Sequence, residues 1–403
     1  MTLPLEGIRV VDWTIWQLGP VSTALLADLG AEVIKIEDRV TGDPGRGIFA
    51  MSGMDMSDVP NAYFEANNRN KKSITLDLKK PEGLEVAHKL VVESDVFVQN
   101  MRKGVAERIG LGYDALREIN PRLIYATGSG YGVEGPDSGE PSFDMLGQAR
   151  SGVMLAVGEP DMPPLGIAGG PADQLGATML AYAVLCAIIA RERFGIGQKV
   201  DASHLGSMAW FQGLSLSNKL MMGRAHPRSF RKQAGNPLWN HYCCKDGRWL
   251  ALAMLQADRY WSDFCAAIER PELDSDPRFA DIRVRGQNAQ ACVEILDQVF
   301  ATKDRDEWMK ILKAGGDFIY TIVNSVDDLP DDPQMIENDY IVDFDHPRYG
   351  AIQMVGYPVR LHETPATVRT PAPEFGQHTE EVLTELLGYS WEEVGELRSK
   401  EVT

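Results

Sequence analysis

Five short apolar runs in the first third of the chain, with helical stretches between them, constrain the fold more than any other feature. They are Ile8–Trp13 (IRVVDW), Ala31–Glu37 (AEVIKIE), Ser73–Asp77 (SITLD), Asp95–Asn100 (DVFVQN) and Arg122–Ala126 (RLIYA). Between them, residues 20–29 have helical character and stop at Gly30, and a Pro-Glu pair opens a second helix over residues 81–94. Strands alternating with helices predict an α/β fold built on an open, mostly parallel sheet covered on both faces. A dinucleotide would be the usual ligand of such a sheet. The turn after the first run is TIWQLGP, however, without the Gly-x-Gly-x-x-Gly that lets backbone approach a pyrophosphate. Gly128, Gly130 and Gly132 form a glycine-rich turn after the fifth run, which by itself only shapes backbone.

The formal charge of −18 excludes nucleic acid as the main partner, because phosphate neutralisation needs a basic face. An anionic ligand must therefore meet a local basic patch, and residues 69–80 supply one: Arg69, Lys71, Lys72, Lys79 and Lys80 against Asp77. On charge alone this cluster is equally a solvated face. The five cysteines have neither CxxC pairing nor spacing with histidine that suggests a metal, and they read as reduced thiols of a cytoplasmic protein. The first residues lack the pattern of a signal peptide, and the apolar run 174–190 is short for a bilayer.

That run belongs to the stretch from Gly169 to Asp201. A Gly-Gly-Pro turn brings Asp173 to the start of a long apolar helix, where unpaired N–H groups and the helix dipole favour an anion. Arg191 and Arg193 occupy its last turn and Gly195 follows as a left-handed stop. A helix this apolar is expected to be buried. Locally, Asp173 reads as an N-cap before it reads as anything chemical. Residues 202–222 continue as a second long helix. The chain then divides into a large Rossmann-like part over 1–222, a Gly-, Pro- and base-rich linker over 223–237, a small α+β domain over 238–326, and a connection with a C-terminal return over 327–403. His241 beside Cys243 and Cys244, like His346 and His378, is read as structural.

The run Arg191, Gly195, Gly197, Gln198, Val200, Asp201, together with the tail Pro371–Pro373, Gly376 and His378–Glu381, resembles the family III CoA-transferases over nearly the whole chain. The resemblance implies a Rossmann-like large domain plus a small domain, assembled as an interlocked-ring homodimer, with heteromers in some members. It also implies acyl-CoA and a carboxylic acid as substrates, with no tightly bound cofactor. Asp173 is then the nucleophile, passing through an aspartyl-acyl anhydride and an aspartyl-CoA thioester, and Gln17 orients the reacting carboxyl groups. CoA contacts fall at Arg39, Leu76, Lys79, Asn100, Met101, Arg108 and Tyr131. Ser129 departs from the lysine that formyl-CoA transferase carries there. The 2-methylacyl-CoA racemases of the same superfamily need a histidine where this chain has Phe143, before Asp144, and an apolar ring cannot exchange a proton. Trp13, Trp16, Tyr63, Phe64, Met51, Met54 and Met56 suggest an apolar acyl pocket for an aryl or branched acid.

Overall fold

A computed structural model describes residues 2–48 and 60–403, so Met51, Met54 and Met56 lie outside the described residues. The chain divides into two compact units. One comprises Met1–Met154, Gly166–Ala225 and Ile336–Thr403; the other comprises Leu155–Leu165 and His226–Met335.

The first unit is built on a six-stranded parallel sheet: β1 (Arg9–Trp13), β2 (Glu32–Asp38), β3 (Lys71–Leu76), β4 (Val96–Gln99), β5 (Ile124–Ser129) and β6 (Lys199–Ser203). Their spatial order is β3-β2-β1-β4-β5-β6. Because successive side chains point to opposite faces, each apolar run feeds two cores. Val11, Ile34, Ile74 and Phe97 pack on one face against Val86 and Leu90 of α1 (Pro81–Val92). Val10, Val33, Val96, Val98 and Ile124 pack on the other against Leu18 and Leu26 of α2 (Leu18–Asp28) and Leu180 and Val184 of α3 (Pro171–Phe194). Burial on both faces is why these strands read as continuous apolar runs.

Reversal of strand order between β1 and β4 opens a crevice at the carboxyl edge of the sheet, the place where open α/β folds receive ligands. The expected strands all occur, but the stretch 202–222 is not one helix. It begins as the end of β6 and continues as α4 (His204–Phe211) and α5 (Gly213–Met222), broken at Gln212. Strand β6 lies at the sheet's edge and is only partly covered, so its residues lack the apolar run that marks a buried strand. Its identity comes from pairing with β5, from Tyr125 opposite Lys199 to Ser129 opposite Ser203.

The long helix α3 is buried along one side and not all round, since Tyr182, Ile189 and Phe194 are exposed. Length and composition alone would let it cross a bilayer, yet its buried side completes the core under α2. The Arg191 motif is architectural. Its guanidinium reaches Asp95 at 2.8 Å, tying the end of α3 to the start of β4. A Cβ at Gly197 would meet the backbone of Arg122 at 2.6 Å, so only glycine lets the chain enter β6 there.

The second unit is a three-stranded antiparallel sheet, β7 (Trp239–Cys243), β8 (Trp249–Ala253) and β9 (Tyr320–Val323), covered by α6 (Ala257–Ala267), α7 (Ala289–Phe300) and α8 (Arg305–Gly315). Tyr242, Phe264, Phe300 and Trp308 fill its core. Burial pushes the thiols of Cys244, Cys265 and Cys292 up to about 12, so they are packing groups here.

Candidate active site

Asp173 is the third residue of α3. The cap is Gly170, left-handed at φ +72°, after Gly169 at φ +89°. The orphan N–H groups of Ala172 and Asp173 donate to Asp144 Oδ1 at 2.7 and 3.3 Å, while Asp144 Oδ2 accepts from Gln148 at 2.6 Å. The capping role that Asp173's position suggested is therefore taken by a carboxylate 29 residues earlier in the chain. Asp173 is left free to face a cavity of about 330 Å³ at the carboxyl edge of the sheet.

One neighbour holds it. His204, the first residue of α4, places Nε2 2.8 Å from Asp173 Oδ1 and Nδ1 3.3 Å from Ser142 Oγ. A carboxylate only accepts, so Nε2 carries a proton and donates, while Nδ1 lies within hydrogen-bond reach of the serine hydroxyl. The histidine is 7% exposed at its side chain and the aspartate 13%. His241, His346 and His378 stand out in the sequence more than His204 does. The signal was its place immediately after Ser203, whose hydroxyl accepts from Gly206 N to start α4.

The rest of the cavity wall comes from loops after the strands. Asn100, after β4, accepts from Ile15 N at 2.9 Å and donates to Ile15 O at 2.8 Å, fixing the loop that follows β1. In that loop Trp16 adopts φ +67°, a conformation that costs a non-glycine residue about 1 kcal/mol, and its N–H is held by Asp43 at 3.1 Å. The Trp16 indole meets Phe143 edge-on at 5.6 Å across the wall. Met101, Arg102 and Lys103 complete the rim.

Of the expected site residues, Asp173, Asn100 and Met101 line this cavity. Gln17 lies against the turn that carries Asp173: a Cβ at Gly170 would sit 2.9 Å from its amide nitrogen. Tyr131 follows β5 and stacks under the Arg150 guanidinium at 4.9 Å. Arg39, beyond β2, bonds Thr403 O at 3.1 Å. Lys79 and Arg108 are exposed, whereas Leu76 is 1% exposed in the sheet core. Tyr63 stands close enough for Asp173 to help burial raise its phenol, whereas Trp13 packs on Phe97 and Phe64 lies under Arg46 at 3.9 Å.

Most of the basic cluster of residues 69–80 is engaged by partners within the fold, and Lys79 stays exposed. Lys71 is buried against Asp12 at 2.9 Å, Arg69 against Asp28 at 2.7 Å, and Lys72 bridges Glu32 and Glu381. Lys80 donates to the carbonyls of Lys400 and Glu401. A count of charges sees the cations but not partners that lie far away in the chain.

Gly170→Ala puts a methyl group both into a left-handed conformation and against the Gln17 amide. Stability should fall by about 1–2 kcal/mol, which a thermal melt measures.

A parallel sheet with a carboxylate and its histidine beside a cavity at the carboxyl edge is an arrangement of the α/β class, in which ligands enter at that edge. Residues 5–379 match the family described as CoA-transferase family III, and the chain belongs to that family. It is 34% identical over 402 residues to the (R)-2-hydroxy-4-methylpentanoate CoA-transferase of Clostridioides difficile, covering 99% of both chains. It is 33% identical to the succinyl-CoA–D-citramalate CoA-transferase of Chloroflexus aurantiacus, covering 99% of this chain and 98% of that one. A crystal structure of a CaiB/BaiF family protein from Brucella suis superposes with a TM-score of 0.85 at 28% identity, covering 96% of this chain and all of the other. The protein is thus an enzyme of the CoA-transferase class.

Proposed function

We propose that this enzyme moves CoA from an acyl-CoA thioester to a free carboxylic acid, with Asp173 as the covalent carrier. The observation that carries the reading is a carboxylate relieved of capping duty, in the first turn of a long helix and facing a cavity at the sheet's carboxyl edge. Such a group is screened from water and held near positive helix-end partial charge, which suits a nucleophile. Asp173 attacks the thioester carbonyl, and CoA thiolate leaves. The thiolate then attacks the Asp173 carbonyl of the mixed anhydride and expels the donor acid. The acceptor acid reverses these steps. Gln17, lying against the same turn, orients the reacting carboxyl groups.

CoA lies along the carboxyl edge of the sheet, with Arg39, Lys79 and Arg108 serving its phosphates and Asn100, Met101 and Tyr131 its pantetheine and adenine; Leu76 shapes the floor. No tightly bound cofactor takes part. Trp16 and Phe143, meeting edge-on at the cavity, favour a branched or aryl acyl group over a very small one. The racemase alternative is weaker because Phe143 has no exchangeable proton and Asp144 is spent on the α3 cap.

Incubation with a panel of acyl-CoA donors and acids, including 4-methylpentanoyl-CoA and succinyl-CoA, should yield mixed CoA esters detected by mass spectrometry. α-Deuterium incorporation into a chiral 2-methylacyl-CoA from deuterated water, without any acceptor, would instead support racemisation. The enzyme works in the cytoplasm as a homodimer. Trp210, Leu214, Leu220 and Met221 of α4 and α5 are each at least 74% exposed, an apolar face that suits coverage by a second copy. Light scattering should give twice the mass of the chain, and a monomer would remove that part of the reading.

A further inference from the structure

The proposed cycle attacks two different carbonyl carbons. Anhydride formation attacks the substrate's carbonyl, whereas formation and breakdown of the aspartyl-CoA thioester attack Cγ of Asp173 itself. Each attack gathers negative charge on an oxygen that needs a donor. For the second kind, the charged oxygen is whichever Asp173 oxygen stayed outside the anhydride.

The structure distinguishes the two oxygens. Oδ1 accepts from His204 Nε2 at 2.8 Å, and among the described residues Oδ2 has no hydrogen-bond partner. The imidazole has little freedom to turn away. Its Nδ1 meets Ser142 Oγ at 3.3 Å, a Cβ at Gly147 would strike His204 Cβ at 2.6 Å, and one at Gly176 would stand 3.6 Å from the ring. Two glycines on neighbouring helices thus leave a slot that the histidine fills.

Resting on the carrier reading above, we propose that His204 is the oxyanion donor for the enzyme's own acyl group: its fixed Nε2–H leaves Oδ2 to attack and stabilises Oδ1 when Cγ becomes tetrahedral. In the first such step the CoA sulfur forms a bond to Cγ, the bond from Cγ to Oδ2 breaks, and the donor carboxylate departs with the electron pair and Oδ2. In the second, the acceptor carboxylate bonds to Cγ and thiolate departs. Neither step consumes a proton, so His204 serves throughout as a donor and not as a base.

Isotope exchange separates the two kinds of attack. Exchange of deuterium-labelled CoA into 4-methylpentanoyl-CoA, or into the panel's best donor, needs only attack at the substrate carbonyl. Exchange of the ¹³C-labelled acid into the same thioester needs attack at Cγ. His204→Leu, which removes the donor and keeps the bulk, should slow acid exchange by about 10²-fold or more while CoA exchange falls less than about tenfold. His204→Gln, whose amide can reach the same point, should restore much of the acid exchange and guards against a folding defect in the first variant. Equal losses in both exchanges, without rescue by glutamine, would reduce His204 to a structural support; unchanged acid exchange would remove it from the mechanism. Failure of the carrier reading looks different: Asp173→Asn would then keep both exchanges.

Discussion

Asp173→Asn is expected to lower CoA transfer by about 10⁴-fold or more while CoA affinity stays within about threefold. The substitution is nearly isosteric, and its amide oxygen can still accept from His204 Nε2, so the turn at Gly169–Pro171 and the α3 cap should survive. The cap depends on Asp144, not on the residue being changed. What disappears is the oxygen that attacks the thioester, and an amide nitrogen does not replace it. The proposed phosphate contacts lie on other loops of the sheet edge and are untouched. Steady-state rates by mass spectrometry, calorimetric titration with CoA and a thermal melt should therefore show lost turnover with retained binding and stability. Hydroxylamine trapping should label Asp173 in the native enzyme and not in the variant. Turnover at the native rate would end the carrier assignment, and label on another residue would relocate it.

The second large effect is on stability. Lys71→Met should destabilise the protein by about 3–5 kcal/mol, because it strands a buried carboxylate. Asp12 is wholly buried in β1 and receives Lys71 Nζ at 2.9 Å, Thr23 Oγ1 at 2.7 Å and the Thr14 hydroxyl. Lys71 also donates to Pro20 O at 2.8 Å and Asn68 Oδ1 at 2.9 Å, so one ammonium joins β1, α2 and the start of β3. Alongside it, Lys35 donates to Thr14 O at 2.7 Å and pairs with Asp43 at 2.8 Å. This network lies beneath the loop that bears Trp16 and Gln17.

Burial pushes the Asp12 carboxyl up, but the Lys71 and Lys35 ammoniums outweigh it and hold it down at about 2. Burial likewise pulls Lys71 down to about 8 against the attraction of Asp12. Since the folded carboxyl binds its proton less readily than the unfolded one, its contribution is present above the ordinary value of 3.8 and is lost as pH falls toward about 2. The gap in stability between the native protein and Lys71→Met should accordingly be wider at neutrality than in acid. Urea titrations at pH 7 and pH 3 measure it, and a gap that stays constant or widens would rule out the Asp12–Lys71 pair as its source.

The amino-acid sequence by itself determined the elements whose identity is local. Strands β1 to β5 were legible because both of their faces are buried, which leaves mostly apolar runs. Helix α3 was legible from its Gly-Gly-Pro entry and Gly195 exit, and Gly195 is left-handed at φ +72° as that exit requires. The nucleophile candidate was found through its resemblance to a family, since an aspartate at a helix start is locally indistinguishable from a cap. The tertiary structure decided what depends on partners distant in the chain. Asp144 takes the cap, His204 grips Oδ1 from 31 residues away, β6 becomes a strand by pairing with β5, and Arg69 and Lys71 turn inward to acids on other elements. Periodicity and composition record a residue's own surroundings along the chain. Hydrogen bonds and ion pairs across a fold are set by packing, which only the assembled sheet and helices specify.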